Sequence, residues 1–480
     1  MNQLYLNEGK DLNAIIDLFQ KQTEKQTETQ TNHSTQPKEK DCVGLIRYFE
    51  KEISINKALE VTNWALFYHK YSSILHEKKA ILLIQSNDAE LALESLDRAE
   101  MFGQCFIEID LLRVQAFITL QDHSRGINIL NDLRINYQLS AEQLSQAYLL
   151  EALIHKAQEY FLNMYESLKF SLRANPGNQK ALKQIWLAIE LSKQYDDGIE
   201  FHHQLLEADA YQYLTWFNLG HAYYRNYEYD LALEAFEFAM VTNDTFLPAY
   251  LDYVETAMQQ QKFYLAINCM ERARLHFDLD EEMLLNMGIC HQQIHFYDKA
   301  RNYFFQALRL DNGNPDVYFH IGECFAAEGR HQSALYYYRK AIELDPLHED
   351  YQLAIAQAYA LLSEAKKATA HFTRATTLAP YRSELWTAHT RFLLNENEAR
   401  KAFEMATEAA EFTHGADLQY CTAASLFRLN HSNYIQHLED ALMEDFELRN
   451  IFFSLIPKSR HEDSMLIAMI RYYRGEVQYQ

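Results

Sequence analysis

Alanine recurs at intervals of 34 residues in two registers that lie seven positions apart. The first register comprises Ala232, Ala266, Ala300, Ala334, Ala368 and Ala402. The second comprises Ala239, Ala273, Ala307, Ala341, Ala375 and Ala409. A fixed period of this length predicts stacked units of supersecondary structure that share one continuous core. It therefore argues against the roughly three separate domains that a chain of 480 residues would ordinarily form.

The composition favours helices as the elements of these units. Glycine and proline number only 13 and 7, whereas a β-rich chain of this length needs many tight turns built from such residues. Long stretches of Leu, Ala, Glu and Gln have high helix propensity, and the hydrophobic fraction of 48% is sufficient for a core. The sequence thus predicts an all-α protein.

Bulky and small residues accompany the alanines at fixed offsets. They include Trp216, Gly220, Tyr223, Gly288, Gly322, Pro346 and Pro380. This order of a bulky residue, a small residue, Tyr, the two alanines and a terminal Pro resembles the tetratricopeptide repeat family. The resemblance implies a right-handed superhelical solenoid of antiparallel helix pairs, in which glycine and alanine allow close approach of the helices. The register predicts about 11–12 pairs.

The match to the repeat varies along the chain. It is closest at 213–416, weaker at 41–212, and degenerate at 417–480, where residues 464–473 are predicted to form a capping helix. Residues 1–20 contain a short amphipathic segment, and residues 21–40 lack apolar side chains, which predicts a flexible tether. The spacing lengthens by four residues between 107 and 144, which predicts a longer loop at 136–140.

The charge and the cysteines restrict the environment and partners of the chain. A net charge of −23 disfavours nucleic acid and anionic membrane surfaces as ligands. No run of 18 uncharged apolar residues is present, so no membrane insertion is expected. Six cysteines without a C-x-x-C pair, and an N-terminus that does not resemble a signal peptide, predict a cytoplasmic protein with reduced thiols.

Motifs for catalysis or cofactor binding are missing from the sequence. It contains no phosphate-binding glycine loop and no G-x-S-x-G motif. His291 and His295 share one helical face, but residue 292 is Gln and no third ligand follows. We therefore expect no catalytic residues, no cofactor and no metal, and we predict that the chain is not an enzyme.

The resemblance implies that first helices line a concave groove in which peptides bind. The positions expected to face this groove are Phe217, His221, Leu251, Glu255, Leu285, Ile289, Phe319, Glu323 and Leu353. Their apolar column either binds an apolar peptide or helix of a partner protein, or is covered by tight winding or by residues 1–20. The predicted function is a protein-interaction scaffold; the alternative is a regulatory protein gated by a ligand or by its own N-terminal segment.

Overall fold

The computed structural model describes residues 37–52, 54–103 and 106–456, together with Ile16, Phe19 and Met469. The chain divides into unit 1, residues 1–256, and unit 2, residues 257–480. All regular secondary structure within these described ranges is helical, which confirms the all-α prediction. None of the helices described has the length and apolar character that crossing a bilayer would require.

Unit 1 contains six consecutive helix pairs. Their helices are α1 (Glu39–Lys51), α2 (Ile55–Tyr68), α3 (Ser73–Gln85), α4 (Ala89–Phe102), α5 (Phe106–Thr119), α6 (His123–Asn136), α7 (Ala141–Ala157), α8 (Phe161–Ala174), α9 (Gln179–Ser192), α10 (Tyr195–Ala208), α11 (Tyr213–Arg225) and α12 (Tyr229–Thr242). The division between the units falls within α13 (Leu247–Gln259). Within unit 1 each helix contacts its partner and the helices of the neighbouring pair.

Unit 2 begins with a single helix, continues with five pairs and closes with a short helix. Its helices are α14 (Phe263–Ala273), α15 (Glu281–Gln293), α16 (Tyr297–Leu310), α17 (Pro315–Ala327), α18 (His331–Leu344), α19 (Glu349–Leu361), α20 (Ala365–Leu378), α21 (Ser383–Asn395), α22 (Ala399–Ala409), α23 (Ala416–Arg428), α24 (Tyr434–Glu444) and α25 (Asn450–Leu455). Across the described ranges, eleven pairs lie wholly within one unit or the other, in agreement with the predicted 11–12.

The turn inside each pair contains one residue with left-handed backbone geometry. These residues are Asn87, Gln121, Glu159, Lys193, Tyr227, Gln261, His295, Gly329, Ser363, Asn397 and Asn430. At Gly329, with φ of 75°, the next N–H, that of Arg330, donates to the carbonyl of Phe325 at 2.9 Å. This hydrogen bond satisfies a carbonyl at the end of α17 and starts the chain back along the first helix.

Small side chains bring the two helices of a pair together. All twelve alanines of the two registers are fully buried. A Cβ added to Gly220, Gly288 or Gly322 would lie 2.5, 2.2 or 2.5 Å from the aromatic ring of the paired helix, so the ring occupies the space above each glycine. Each such buried ring contributes about 1.5–3 kcal/mol through the apolar area that it removes from water.

The predicted longer loop at 136–140 is wrong. The link between α6 and α7 has four residues, as has the link between α8 and α9. The extra residues lie instead in α7, which is 17 residues long. Ser140 caps this helix, because its hydroxyl accepts the N–H of Gln143 while the Gln143 side chain accepts the N–H of Ser140. Spacing alone did not distinguish a longer helix from a longer loop.

The terminal predictions fall largely outside the described residues. Of the amphipathic segment 1–20, Ile16 and Phe19 are described, and both pack against the core of the first pair. Helix α1 begins at Glu39, so the last residues of the predicted tether 21–40 are helical. Of the predicted capping helix, Met469 is described, and it is buried in the core of unit 2.

Candidate functional site

A cleft of about 330 Å³ lies between the first helices of two consecutive pairs in unit 2. Helix α17 contributes Asp316, Phe319, His320 and Glu323. The start of α19 and the residue before it contribute His348, Asp350, Tyr351, Leu353, Ala354 and Gln357. Three of the predicted groove residues, Phe319, Glu323 and Leu353, therefore lie together in this cleft.

The repeat period explains why these side chains meet. Positions 316, 319 and 323 lie on one face of α17, because residues three and four apart are neighbours on a helix. Positions 350, 353 and 357 repeat this face 34 residues later on α19. The two helices thus present equivalent faces to the cleft, with a carboxylate, an apolar side chain and a polar side chain along each.

Aromatic rings form one wall of the cleft. The ring of Phe319 lies 5.1 Å from that of Tyr351 and 5.8 Å from that of Tyr338, measured between centroids. His348 stacks on Tyr351 at 4.1 Å. Tyr338 and Tyr351 are buried, whereas Phe319 is half-buried and reaches the open side. Because their neighbours hold these rings, the wall is formed before any ligand binds.

The carboxylates of the cleft differ in how they are neutralised. The Tyr351 hydroxyl donates to Asp316, and the Tyr338 hydroxyl donates to Glu323. Asp350 is bound by the guanidinium of Arg382 at 3.0 Å. Burial raises the pKa of Glu323, an effect that the Tyr338 hydrogen bond opposes. None of the ten described residues that line the cleft is Lys or Arg.

Two further predicted groove residues, Leu285 and Ile289, lie on α15 of unit 2. Both are half-buried and pack against the core of that unit, outside the lining of the cleft. His320 connects this helix to the cleft, because its Nδ1 lies 3.1 Å from the amide oxygen of Gln292. Burial lowers the pKa of His320 to about 4, so the ring is neutral at physiological pH.

The remaining predicted groove residues lie in unit 1, where aromatic side chains fill the equivalent positions. Phe217 packs at 4.9 Å from Phe246, and His221 stacks on Trp186 at 4.9 Å. His221 also lies 3.2 Å from a carboxylate oxygen of Asp252. Leu251 is 40% exposed and Glu255 is exposed. Trp186 was not identified from the sequence, because the groove column gives Leu187 at this turn.

Unit 1 has a larger cleft of about 440 Å³ on a different set of helices. It is formed by α6, α7 and α8, and its lining includes Arg134, Glu151, Tyr148 and Phe170. Arg134 donates to both oxygens of Glu151, at 2.6 and 3.1 Å, and Tyr148 stacks on Phe170. Its central charges thus neutralise each other, so size alone does not make it the stronger candidate.

The histidines considered as metal ligands make contacts within the protein. The ring of His291 is buried and stacks on Tyr303 at 5.3 Å, and Nδ1 of His295 lies 2.9 Å from the hydroxyl of Tyr297. Within the described residues, no group of three or more His, Cys, Asp or Glu side chains is arranged to hold a metal ion.

The N-terminal segment was considered as a cover for the groove. Its described residue Phe19 is 8% exposed, and its ring lies 5.6 Å from that of Trp64 on α2. Phe19 is therefore held in the core of the first pair of unit 1.

Comparisons with known proteins identify similar sequences and structures. Residues 279–347 match the tetratricopeptide repeat family. Over 134 residues, or 28% of the chain, the sequence is 25% identical to Protein CTR9 homolog from Arabidopsis thaliana, of whose length the match covers 12%.

Similar solved structures have low overall superposition scores. YrrB, described as a TPR protein with an unusual peptide-binding site, is 19% identical and has a TM-score of 0.33, covering 39% of this chain and 96% of its own. The APC/C hetero-tetramer Cut9–Hcn1 is 15% identical with a TM-score of 0.36, covering 84% and 90%. A tetratricopeptide repeat protein from Parabacteroides merdae is 13% identical with a TM-score of 0.37, covering 52% and 99%.

Proposed function

Since this chain is a helical-repeat protein with tetratricopeptide repeats at residues 279–347, we propose that it is a non-catalytic scaffold that binds a peptide or helix of a partner protein in the cleft of unit 2. Tetratricopeptide repeat proteins generally act in protein interactions and are generally not enzymes. The observation that carries the proposal is the meeting of Phe319, Glu323 and Leu353 in one preformed cleft.

The cleft has the properties expected of a peptide site. Its apolar side chains, Phe319 and Leu353, are half-buried, so each keeps apolar surface that a ligand would remove from water. Polar side chains at its rim, such as Gln357, supply hydrogen-bonding groups that orient a ligand. A partner helix or extended segment would place one or two side chains between α17 and α19, as in other helix-lined grooves.

Selection of a random dodecapeptide display library on the full chain provides ligands with which to test the proposal. The diagnostic variant is Leu353→Arg, which replaces an apolar wall of the cleft by a long charged side chain facing Glu323. We expect the selected peptides to bind this variant at least about tenfold more weakly, because an apolar contact is lost and the cleft is partly filled.

The matched control is Leu344→Arg, the same substitution at an exposed position of α18 that does not line the cleft. Melting temperatures of both variants report whether the fold is retained. Equal binding of the selected peptides to Leu353→Arg and to the parent chain, or a library that yields no binder, would contradict the proposed function.

A further inference from the structure

The negative charge of the unit 2 cleft is only partly balanced within the protein. Asp350 has a guanidinium partner in Arg382, which also binds Glu349 at 2.9 Å. Asp316 and Glu323 each receive a hydrogen bond from a tyrosine hydroxyl. Neither carboxylate lies within 4 Å of a Lys or Arg nitrogen in the described part of the chain. Two carboxylates of the cleft therefore have no cationic partner.

The surroundings of Glu323 make this lack of a cation costly. Its side chain is half-buried beside Tyr338 and Phe319, and burial raises its pKa. A neutral hydroxyl offsets the desolvation of a carboxylate less fully than a cation does, because hydrogen bonds to ionised donors are roughly twice as strong. A cation that enters the cleft would gain this unused interaction.

The walls of the cleft suit the stem of a long basic side chain. Lys and Arg carry three or four methylene groups that pack on apolar surface while the charged end stays near polar groups. Phe319 and Leu353 provide such a surface, and Asp316 and Glu323 lie one helical turn to either side of Phe319. A cation close to the rings of Phe319 and Tyr351 is also attracted by their faces.

From this charge and shape complementarity we infer that the cleft binds the side chain of a Lys or Arg in the partner peptide, with its stem against Phe319 and Leu353 and its charge beside Asp316 and Glu323. The inference rests on the proposed function and specifies the ligand of the same site. The protein already contains one contact of this kind, since Arg382 is held by Glu349 and Asp350 at the edge of the cleft.

An acidic ligand is disfavoured by the same arrangement. A carboxylate or phosphate placed in the cleft would lie beside Asp316 and Glu323, and it would have to approach a chain with a net charge of −23. A neutral apolar peptide would leave both carboxylates without a counter-charge and would desolvate them further. A basic residue is the occupant that removes this cost.

The test uses peptides from the dodecapeptide selection and the variant Glu323→Gln. Glutamine retains an oxygen that accepts the Tyr338 hydroxyl, so the wall is kept while the charge is removed. For each selected peptide with a Lys or Arg, a second peptide carries a neutral residue of similar shape, with citrulline in place of Arg and norleucine in place of Lys. Affinities of both peptides are measured for the parent chain and the variant.

We expect selected peptides to be enriched in Lys or Arg over the library, and the charged peptides to bind Glu323→Gln about tenfold more weakly. The neutral peptides should bind the two proteins within about twofold of each other. The control Glu343→Gln removes the same charge from an exposed residue of α18 and should leave all affinities unchanged. The melting temperatures of both variants are compared with that of the parent.

The outcomes separate this inference from the proposed function. Peptides that lose affinity on Leu353→Arg but show no basic enrichment, or that lose the same affinity on Glu323→Gln whether charged or neutral, would overturn the inference and leave the peptide cleft in place. Peptides that are insensitive to Leu353→Arg would overturn both.

Discussion

The ring of Tyr338 lies directly over the backbone of Gly322, so a Cβ at residue 322 would come within 2.5 Å of the ring carbons. The hydroxyl of the same ring donates to Glu323, the next residue along α17. One tyrosine therefore seals the interface of a helix pair with its ring and supports the wall of the cleft with its hydroxyl. Packing of the repeat and shape of the candidate site depend on the same side chain.

Replacement of Gly322 by Ala tests this contact. We expect a loss of roughly 1–3 kcal/mol in stability, because the methyl group displaces a buried ring, and this exceeds the gain of about 1 kcal/mol in helix propensity. The control is Gly44→Ala in α1, where nothing lies within 4 Å of the new Cβ, and there the gain in propensity should raise stability. Urea unfolding monitored by circular dichroism measures both; equal effects of the two substitutions would disprove the packing argument.

The left-handed turn residues predict opposite effects of glycine and alanine. Gly329 has φ of 75° and open space around its Cβ position, so Gly329→Ala should cost about 1 kcal/mol through backbone strain alone. Ser363 occupies the equivalent position with φ of 60°, and Ser363→Gly should relieve strain and raise the unfolding midpoint. If both substitutions move the midpoint in the same direction, backbone strain is not the cause.

The cap of α7 is expected to stabilise this longer helix. Ser140→Ala removes the hydroxyl that accepts the N–H of Gln143 and should cost about 1 kcal/mol. Ser140→Thr keeps a hydroxyl and should retain most of that stability. Hydrogen exchange of the first amides of α7 reports the effect locally, and unchanged exchange in Ser140→Ala would show that the cap contributes nothing.

His389 links the stability of unit 2 to pH. The residue is buried, its ring stacks on Phe372 at 5.3 Å, and neither ring nitrogen has a hydrogen-bond partner. Burial lowers the pKa of His389 to about 4 from 6.5, so the unfolded chain binds the proton more tightly than the folded one. Stability from this group is complete above pH 6.5 and is lost as the pH falls from 6.5 towards 4, by about 2 kcal/mol at pH 5.

The variant His389→Phe isolates this contribution, because it keeps the stacked ring and removes both unsatisfied nitrogens. The drop in melting temperature between pH 7.5 and pH 5 should be smaller in His389→Phe than in the parent chain. His276→Phe, at an exposed position, should leave the drop unchanged. A drop of the same size in His389→Phe and the parent would assign the acid sensitivity to other groups.

Packing positions were predictable from the sequence because they restrict side-chain size. Ala300 and Gly322 must be small for two helices to approach, and this requirement leaves a visible period. The resemblance to the tetratricopeptide repeat family that follows from these positions is confirmed by the match at 279–347. Thr390 departs from the pattern, but the register pairs it with Ala406, so a larger side chain on one helix accompanies a smaller one on the other.

The turns and part of the cleft were not predictable in this way. Residues as different as Tyr227, His295 and Ser363 adopt the same left-handed geometry, because the hydrogen bonds of the helix end impose it and no shared residue type marks it. In the cleft, Phe319 and Leu353 followed from the period. The bond from Tyr351 to Asp316 did not, since it joins side chains 35 positions apart in adjacent repeats.

The regular turn geometry also bears on how a chain of this kind changes length. Gly329 and Ser363 hold equivalent backbone conformations 34 residues apart. A chain that passed directly from Gly329 to Glu364 would therefore enter α20 as it now enters α18, with the interhelical alanines still in step. Repeats of unit 2 are thus interchangeable cassettes, and recombination between their turns would shorten or extend the array without a new junction having to evolve.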